Sequence, residues 1–86
     1  MAWVTEKYFR KRLRKKPPMM QAAVARCIQR LGEDRTHPGL RVHEVEGTEG
    51  VWEAYVDDAN RVTFHVEDGV IVLRNNCNHD IIKRRP

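Results

Sequence analysis

The sequence predicts an α+β fold: two N-terminal helices, with or without a short first strand ahead of them, packed on a four-stranded and mainly antiparallel sheet. Three observations carry that expectation. Apolar residues recur at helical spacing as far as Leu31, they change to alternation from Leu40 onward, and turn-forming residues punctuate the second half at short intervals. The 86 residues form one domain, 1–86, whose core lies near the lower size limit for independent stability.

Met1 to Val4 reads as a short strand or an arm, with Trp3 and Val4 seeking cover. Thr5 is the expected N-cap of the first helix, and Glu6 falls in the first turn, where negative charge suits the helix dipole. Tyr8, Phe9 and Leu13 keep helical spacing, while Lys7, Arg10, Lys11, Arg12, Arg14, Lys15 and Lys16 crowd the rest of that surface. Pro17 and Pro18 end this helix and begin the next, because proline is tolerated in a first helical turn. The second helix is expected from about Pro18 to Leu31. Its apolar stripe is Met20, Val24, Cys27, Ile28 and Leu31, and Gly32 is placed to terminate it.

Asp34 to Gly39 (DRTHPG) is a loop, in which His37 has the role of a turn residue. Leu40 and Val42 then alternate with Arg41 and His43, and Glu46 to Gly50 is a turn. Trp52, Ala54 and Val56 form the next alternating run, and Asp57 to Asn60 the next turn. Val62, Phe64 and Val66 follow, and Asp68-Gly69 fits a type I′ turn. Val70 to Leu73 is continuously apolar, as in a strand covered on both faces. The tail Lys83-Arg84-Arg85-Pro86 is expected to be mobile.

The net charge of +4 conceals an asymmetry. Residues 1–35 hold ten Lys/Arg against three Asp/Glu, whereas residues 36–86 hold six against nine. A basic half favours a polyanionic partner, either nucleic acid or an acidic protein, although a solvated helix surface explains the same charges. No apolar run approaches the roughly 18–20 residues that span a bilayer. MAWVTEKYF turns basic too early for a signal peptide, so a cytoplasmic protein without a membrane partner is expected. Cys27 and Cys77 suggest no disulfide framework, and Cys27 reads as a small apolar residue on a helix core face.

If Val62, Phe64 and Val66 face the helices, then Arg61, Thr63 and His65 face away from them. Glu53 and Tyr55 of the preceding strand share that outer face. The face of His43 is not readable, because the register across the Gly47–Gly50 turn is not written in the sequence. An outer face with Arg, Thr, His, Tyr and Glu is equipped for chemistry.

Helix–helix–meander order, the LRVHEVEG segment, WEAYV followed by a turn and Arg-Val-x-Phe, and a last strand ending in His-Asp together resemble the RelE/ParE superfamily of bacterial toxins. Histidine-containing members of the YafQ and YoeB types fit best. The resemblance implies a toxin that cuts messenger RNA on the ribosome without a metal, needs no cofactor, and is held inactive by a cognate antitoxin in a hetero-oligomer. It also implies roles. His43, four positions before Gly47, stands where such toxins hold a general base. Arg61 matches the arginine at the scissile phosphate, and His79 the C-terminal general acid. Many members carry an aromatic residue shortly after that acid, but this tail reads DIIKRRP, so Tyr55 or Trp52 has to take over base stacking. Glu53 stands where the RelE type has a lysine, so the phosphate-binding set must differ.

Cleavage of RNA without a metal needs a base for the 2′-hydroxyl proton, an acid for the leaving 5′-oxygen, and a cation at the crowded phosphorane. Two imidazoles suit the first two tasks, since an unperturbed pKa of about 6.5 allows one neutral and one charged ring. Arginine suits the third, with a planar fork and a permanent charge. His43, His79 and Arg61 therefore make a complete set. Arg41, Tyr55, His65, Lys83 and Arg84 are candidates for further RNA contacts, although His65 reads equally as an ordinary strand residue. Cys77-Asn78-His79-Asp80 with His43 lacks any paired metal-ligand spacing, and no metal is expected. Two other readings share the fold: a ParE-like inhibitor of DNA gyrase, which needs no catalytic pair, and a non-catalytic relative that only binds antitoxin or DNA.

Overall fold

The second-helix stripe packs where its spacing puts it. Val24, Cys27, Ile28 and Leu31 are buried, and together with Phe9, Leu40, Ala54, Val62, Phe64, Ile71 and Leu73 they form the main core between the helices and the sheet. The computed structural model describes every residue except Lys83. Its elements are β1 (Trp3–Thr5), α1 (Lys7–Arg14), α2 (Pro18–Glu33), β2 (His43–Glu44), β3 (Trp52–Tyr55), β4 (Asn60–Glu67) and β5 (Val70–Asn78). Single 3-10 turns lie at Pro38–Leu40 and His79–Ile81. The sheet order is β1-β5-β4-β3-β2, with β1 parallel to β5 and every other pair antiparallel.

The sheet thus has five strands where four were expected, because the N-terminal arm zips onto β5. Ile71 donates its amide to the Ala2 carbonyl at 3.0 Å, and Glu6 donates to Leu73 at 2.9 Å. Trp3 and Val4 nevertheless stay about half exposed, at 47% and 50%. Thr5 does not cap α1. It ends β1, and its hydroxyl and carbonyl are taken by the Arg10 guanidinium, while Glu6 holds the N-cap position without a side-chain capping bond. Nor does Gly32 stop α2, which runs on to Glu33 and ends at an extended Asp34. Close approach explains this glycine: an added Cβ would lie 3.1 Å from the Met1 carbonyl oxygen and 3.3 Å from the Trp3 ring.

β2 is shorter than its alternating pattern implied. Leu40 belongs to the 3-10 turn, yet it is still buried in the main core. β5 is longer, continuing past Leu73 through a polar run to Asn78. A β-bulge makes that run compatible with burial. Thr63 pairs with Asn75 and Phe64 with Leu73, so Arg74 is the extra residue and the alternation shifts by one. Asn76 then points to the helices and donates to the Phe9 carbonyl at 2.9 Å, while Asn75 and Cys77 fall on the outer face. The Asp68-Gly69 turn has positive φ at both residues, 51° and 75°, as a type I′ turn requires.

The outer face is not left open. Arg84 to Pro86 are docked rather than mobile, since Asn75 Nδ2 donates to the Arg85 carbonyl at 2.8 Å and Thr63 Oγ1 to the Pro86 carbonyl at 3.1 Å. Thr63 is consequently fully buried. Ile82 closes a second, smaller apolar cluster with Val45, Val51 and Cys77. That cluster ties the β2–β3 connection to the end of β5, and it forms one wall of the site.

Candidate functional site

Register brings the first histidine to the outer face. His43 of β2 stands opposite Glu53 of β3, which stands opposite Thr63 of β4, so His43 shares its face with Tyr55 and Arg61. β5 ends at Asn78, whose side chain accepts the Asp80 amide at 3.1 Å and so turns the chain sharply at His79. The result is a cleft of about 360 Å³ lined by His43, Glu44, Val45, Glu46, Glu53, His79, Asp80 and Ile82. The two histidines predicted as base and acid therefore line one depression.

The hydrogen-bond partners of His43 fix much of its chemistry. Nδ1 lies 2.8 Å from the Arg41 carbonyl oxygen, which only accepts, so Nδ1 carries a hydrogen. Nε2 lies 2.7 Å from Oε1 of Glu53, whose side chain is 6% exposed against 59% for His43. A carboxylate also only accepts, so this contact holds one proton on the pair, on Nε2 or on Glu53. The orienting carbonyl comes from Arg41, a residue with left-handed backbone (φ 47°). Glu53 was placed on the outer face by alternation, but its contact with His43 was missed. It depends on the β2–β3 register, which no local signal gives.

Arg61 is on the correct face but outside the lining of the cleft. Its guanidinium donates to the carbonyls of Asp57, Asp58 and Asn60, which ties it into the turn before β4. That turn is built by Asp57, whose carboxylate accepts from the Ala59 and Asn60 amides and from Asn60 Nδ2. The Asn60 side-chain bond holds the Asp57 carboxyl below its usual range, with backbone bonds and Arg61 adding to the effect. Arg61 and Arg41 both lie over the Tyr55 ring, 4.8 and 4.7 Å from its centre. Tyr55 donates its hydroxyl to Asp58, and this bond raises the phenol above its ordinary range. The ring is thus covered by guanidinium groups and is not a free platform for a base. Trp52, about one-third exposed, makes no comparable ring contact among the described residues.

The remaining predicted contacts lie elsewhere. His65 is held between Arg74 Nη1 at 2.8 Å and Glu67 at 3.4 Å, away from the cleft. Arg84 is on the docked tail beside Arg85, and Lys83 lies outside the described residues. His37 accepts the Gly39 amide at 3.1 Å and serves its turn. Burial pushes the Cys27 thiol up to about 11, consistent with a core residue. Cys77 is raised by burial as well.

Comparison with solved structures identifies the fold. YafQ from Escherichia coli strain BL21(DE3) superposes with a TM-score of 0.78 over 94% of this chain and 96% of that one, at 9% identity. A YoeB/ParE toxin from Agrobacterium tumefaciens gives 0.77 over 92% and 99%, at 12% identity. The toxin–antitoxin complex of RelE with RelB from Methanococcus jannaschii gives 0.69 over 94% and 95%, at 14% identity. No family model and no curated protein sequence matches the chain. The chain shares its fold with these toxin structures.

Proposed function

We propose that this chain is the toxin of a toxin–antitoxin pair, and that it cleaves messenger RNA at the His43–His79 cleft without a metal. The observation that carries the reading is that cleft: two imidazoles and a buried carboxylate around one depression, within a fold shared with YafQ and YoeB-type toxins. In the reaction, the Arg41 carbonyl holds the ring of His43 by Nδ1. Once the proton held between Nε2 and Glu53 has left to solvent, the 2′-hydroxyl enters between them, the Nε2 lone pair takes its proton, and Glu53 stabilises the imidazolium that forms. O2′ attacks phosphorus, the bond to O5′ breaks, and His79 supplies the proton to O5′. The products are a 2′,3′-cyclic phosphate and a 5′-hydroxyl.

Arg61 is the cation for the phosphorane, reached when its guanidinium exchanges turn carbonyls for phosphate oxygens. The need for a 2′-hydroxyl makes the site selective for RNA. An antitoxin partner, action on ribosome-bound messages and a cytoplasmic setting belong to the same reading. It is supported by neighbours that include a RelB–RelE complex and a DinJ–YafQ complex.

The test is induction in cells, with message 5′ ends and plasmid topology mapped together. Codon-phased cuts that disappear in a His43→Ala/His79→Ala double variant support the ribonuclease. Growth arrest that survives the double variant and comes with altered plasmid supercoiling replaces it with the gyrase reading. No arrest at all leaves a binding protein.

A further inference from the structure

The cleft has an electrostatic problem as an RNA site. Its lining includes Glu44, Glu46, Glu53 and Asp80, and no Lys or Arg among the described residues. A polyanion gains little from charge there, so the attraction must come from another part of the surface. One region has the opposite character. A depression of about 350 Å³ is lined by Glu6, Tyr8, Arg74, Arg84, Arg85 and Pro86.

We infer that this Arg74–Arg84–Arg85 depression binds backbone phosphates of the RNA strand outside the cleaved position. The inference rests on the ribonuclease reading for its choice of RNA, and it adds Arg74 and Arg85 to the contacts expected from the sequence. The charges of Arg84 and Arg85 are not neutralised by an acidic side chain. Among the described residues the contacts within 4.0 Å between a basic side chain and an Asp or Glu are those of His43 with Glu53 and of His65 with Glu67, so none of the three arginines is paired with an Asp or Glu, the Glu6 on the rim included, while Arg74 Nε donates to the Pro86 oxygen at 3.3 Å.

The groups are also held in place. Arg85 lies over the Tyr8 ring with its guanidinium carbon 3.7 Å from the ring centre, and a stacked guanidinium keeps its N–H edge available for phosphate. Arg74 is fixed by His65 Nδ1 at 2.8 Å and by the Pro86 carbonyl at 3.3 Å. The tail that carries Arg84 and Arg85 begins just after His79 and is anchored by buried Ile82, so one short segment joins the cleft to the depression.

RNA suits this surface better than an acidic protein does. A protein partner needs apolar anchors as well as charge, and among the described residues the depression offers Tyr8 and Pro86. An apolar groove lies elsewhere, between Trp3, Phe9, Leu13, Ala25 and Ile28. Phosphate contacts, by contrast, need only positioned donors and positive charge.

The experiment measures anisotropy of a labelled 2′-O-methyl oligoribonucleotide, which cannot be cut, across a salt series. Wild type is compared with Arg84→Ala/Arg85→Ala and with Arg84→Lys/Arg85→Lys; both arginines are exposed. Two lost single-strand phosphate contacts should reduce the slope of log K against log salt by about 1.4, at about 0.7 each, and lysines should restore most of it. An unchanged slope in the alanine variant overturns the proposal. So does a loss seen with polyglutamate but not with the RNA, which would make the depression an acidic-protein surface. Because the probe has no 2′-hydroxyl nucleophile, a protein that shows the expected slope and never cleaves keeps this site and loses the ribonuclease reading. A protein that cleaves while the alanine variant binds with an unchanged slope does the reverse.

Discussion

His43 and His65 both stand on the outer face of the sheet, yet their neighbours require different hydrogens. His65 meets the Arg74 guanidinium through Nδ1, and a guanidinium only donates, so Nδ1 must offer a lone pair and the ring is neutral. His43 meets acceptors on both sides, the Arg41 carbonyl and the Glu53 carboxyl, so a proton is held on its pair. Residue type and face are the same. The difference is made by a buried acid beside one ring and a bulged arginine beside the other. It teaches that histidines on one face are told apart by their partners: His43 lies between two acceptors beside the cleft, whereas His65 holds the arginine that pins the tail.

Substitutions at the two histidines should break the comparison most visibly. His43→Ala should lower RNA cleavage by about 10²–10⁴-fold, the usual worth of a general acid or base. His65→Ala should lower it by less than roughly tenfold, the size of about one lost hydrogen bond. Single-turnover cleavage rates check both, and equal losses would erase the distinction. Glu53→Gln should act next in size. It leaves a neutral acceptor beside Nε2, so the pH–rate profile should change shape as well as height, while a merely structural glutamate would lower the rate at every pH alike. His65→Ala serves as the control, with an unchanged profile.

Smaller effects concern the scaffold. Arg74→Ala removes bonds to His65 and to the Pro86 carbonyl, and should cost about 1–2 kcal/mol in urea denaturation. Asp57→Ala should cost about 1 kcal/mol through the turn that anchors Arg61. Its pH dependence has a definite sign. The folded Asp57 carboxyl lies below its ordinary value of 3.8, so its contribution is present above that value and is lost as pH falls through the lower folded one. The gap between wild type and variant should therefore narrow in acid, as read by melts across pH.

Much of this architecture was legible because it is written in local periods. The α2 stripe, the alternation of β3 and β4, and the Asp68-Gly69 turn each need only a few adjacent residues to declare themselves. What the sequence left open or misplaced falls where partners are distant. β1 exists because Ala2 and Glu6 bond to β5, Gly32 is needed because Met1 and Trp3 come close, and β5 continues through an asparagine run because Asn75 and Asn76 donate to Arg85 and Phe9. The basic tail reads as mobile until Thr63 and Arg74 are seen to hold Pro86.

For the site the division is sharper. The resemblance in motif order selected His43, Arg61 and His79, and the hydrophobic period put Arg61 and Glu53 on the face away from the helices. Only the tertiary structure decided that His43 joins that face, that Glu53 shares its proton, that His79 enters the same cleft, and that Arg61 is tied to the neighbouring turn. Those outcomes depend on strand register and on a bulge opposite Thr63. Both follow from the summed packing of residues far apart in the chain, and no short stretch of sequence carries that sum.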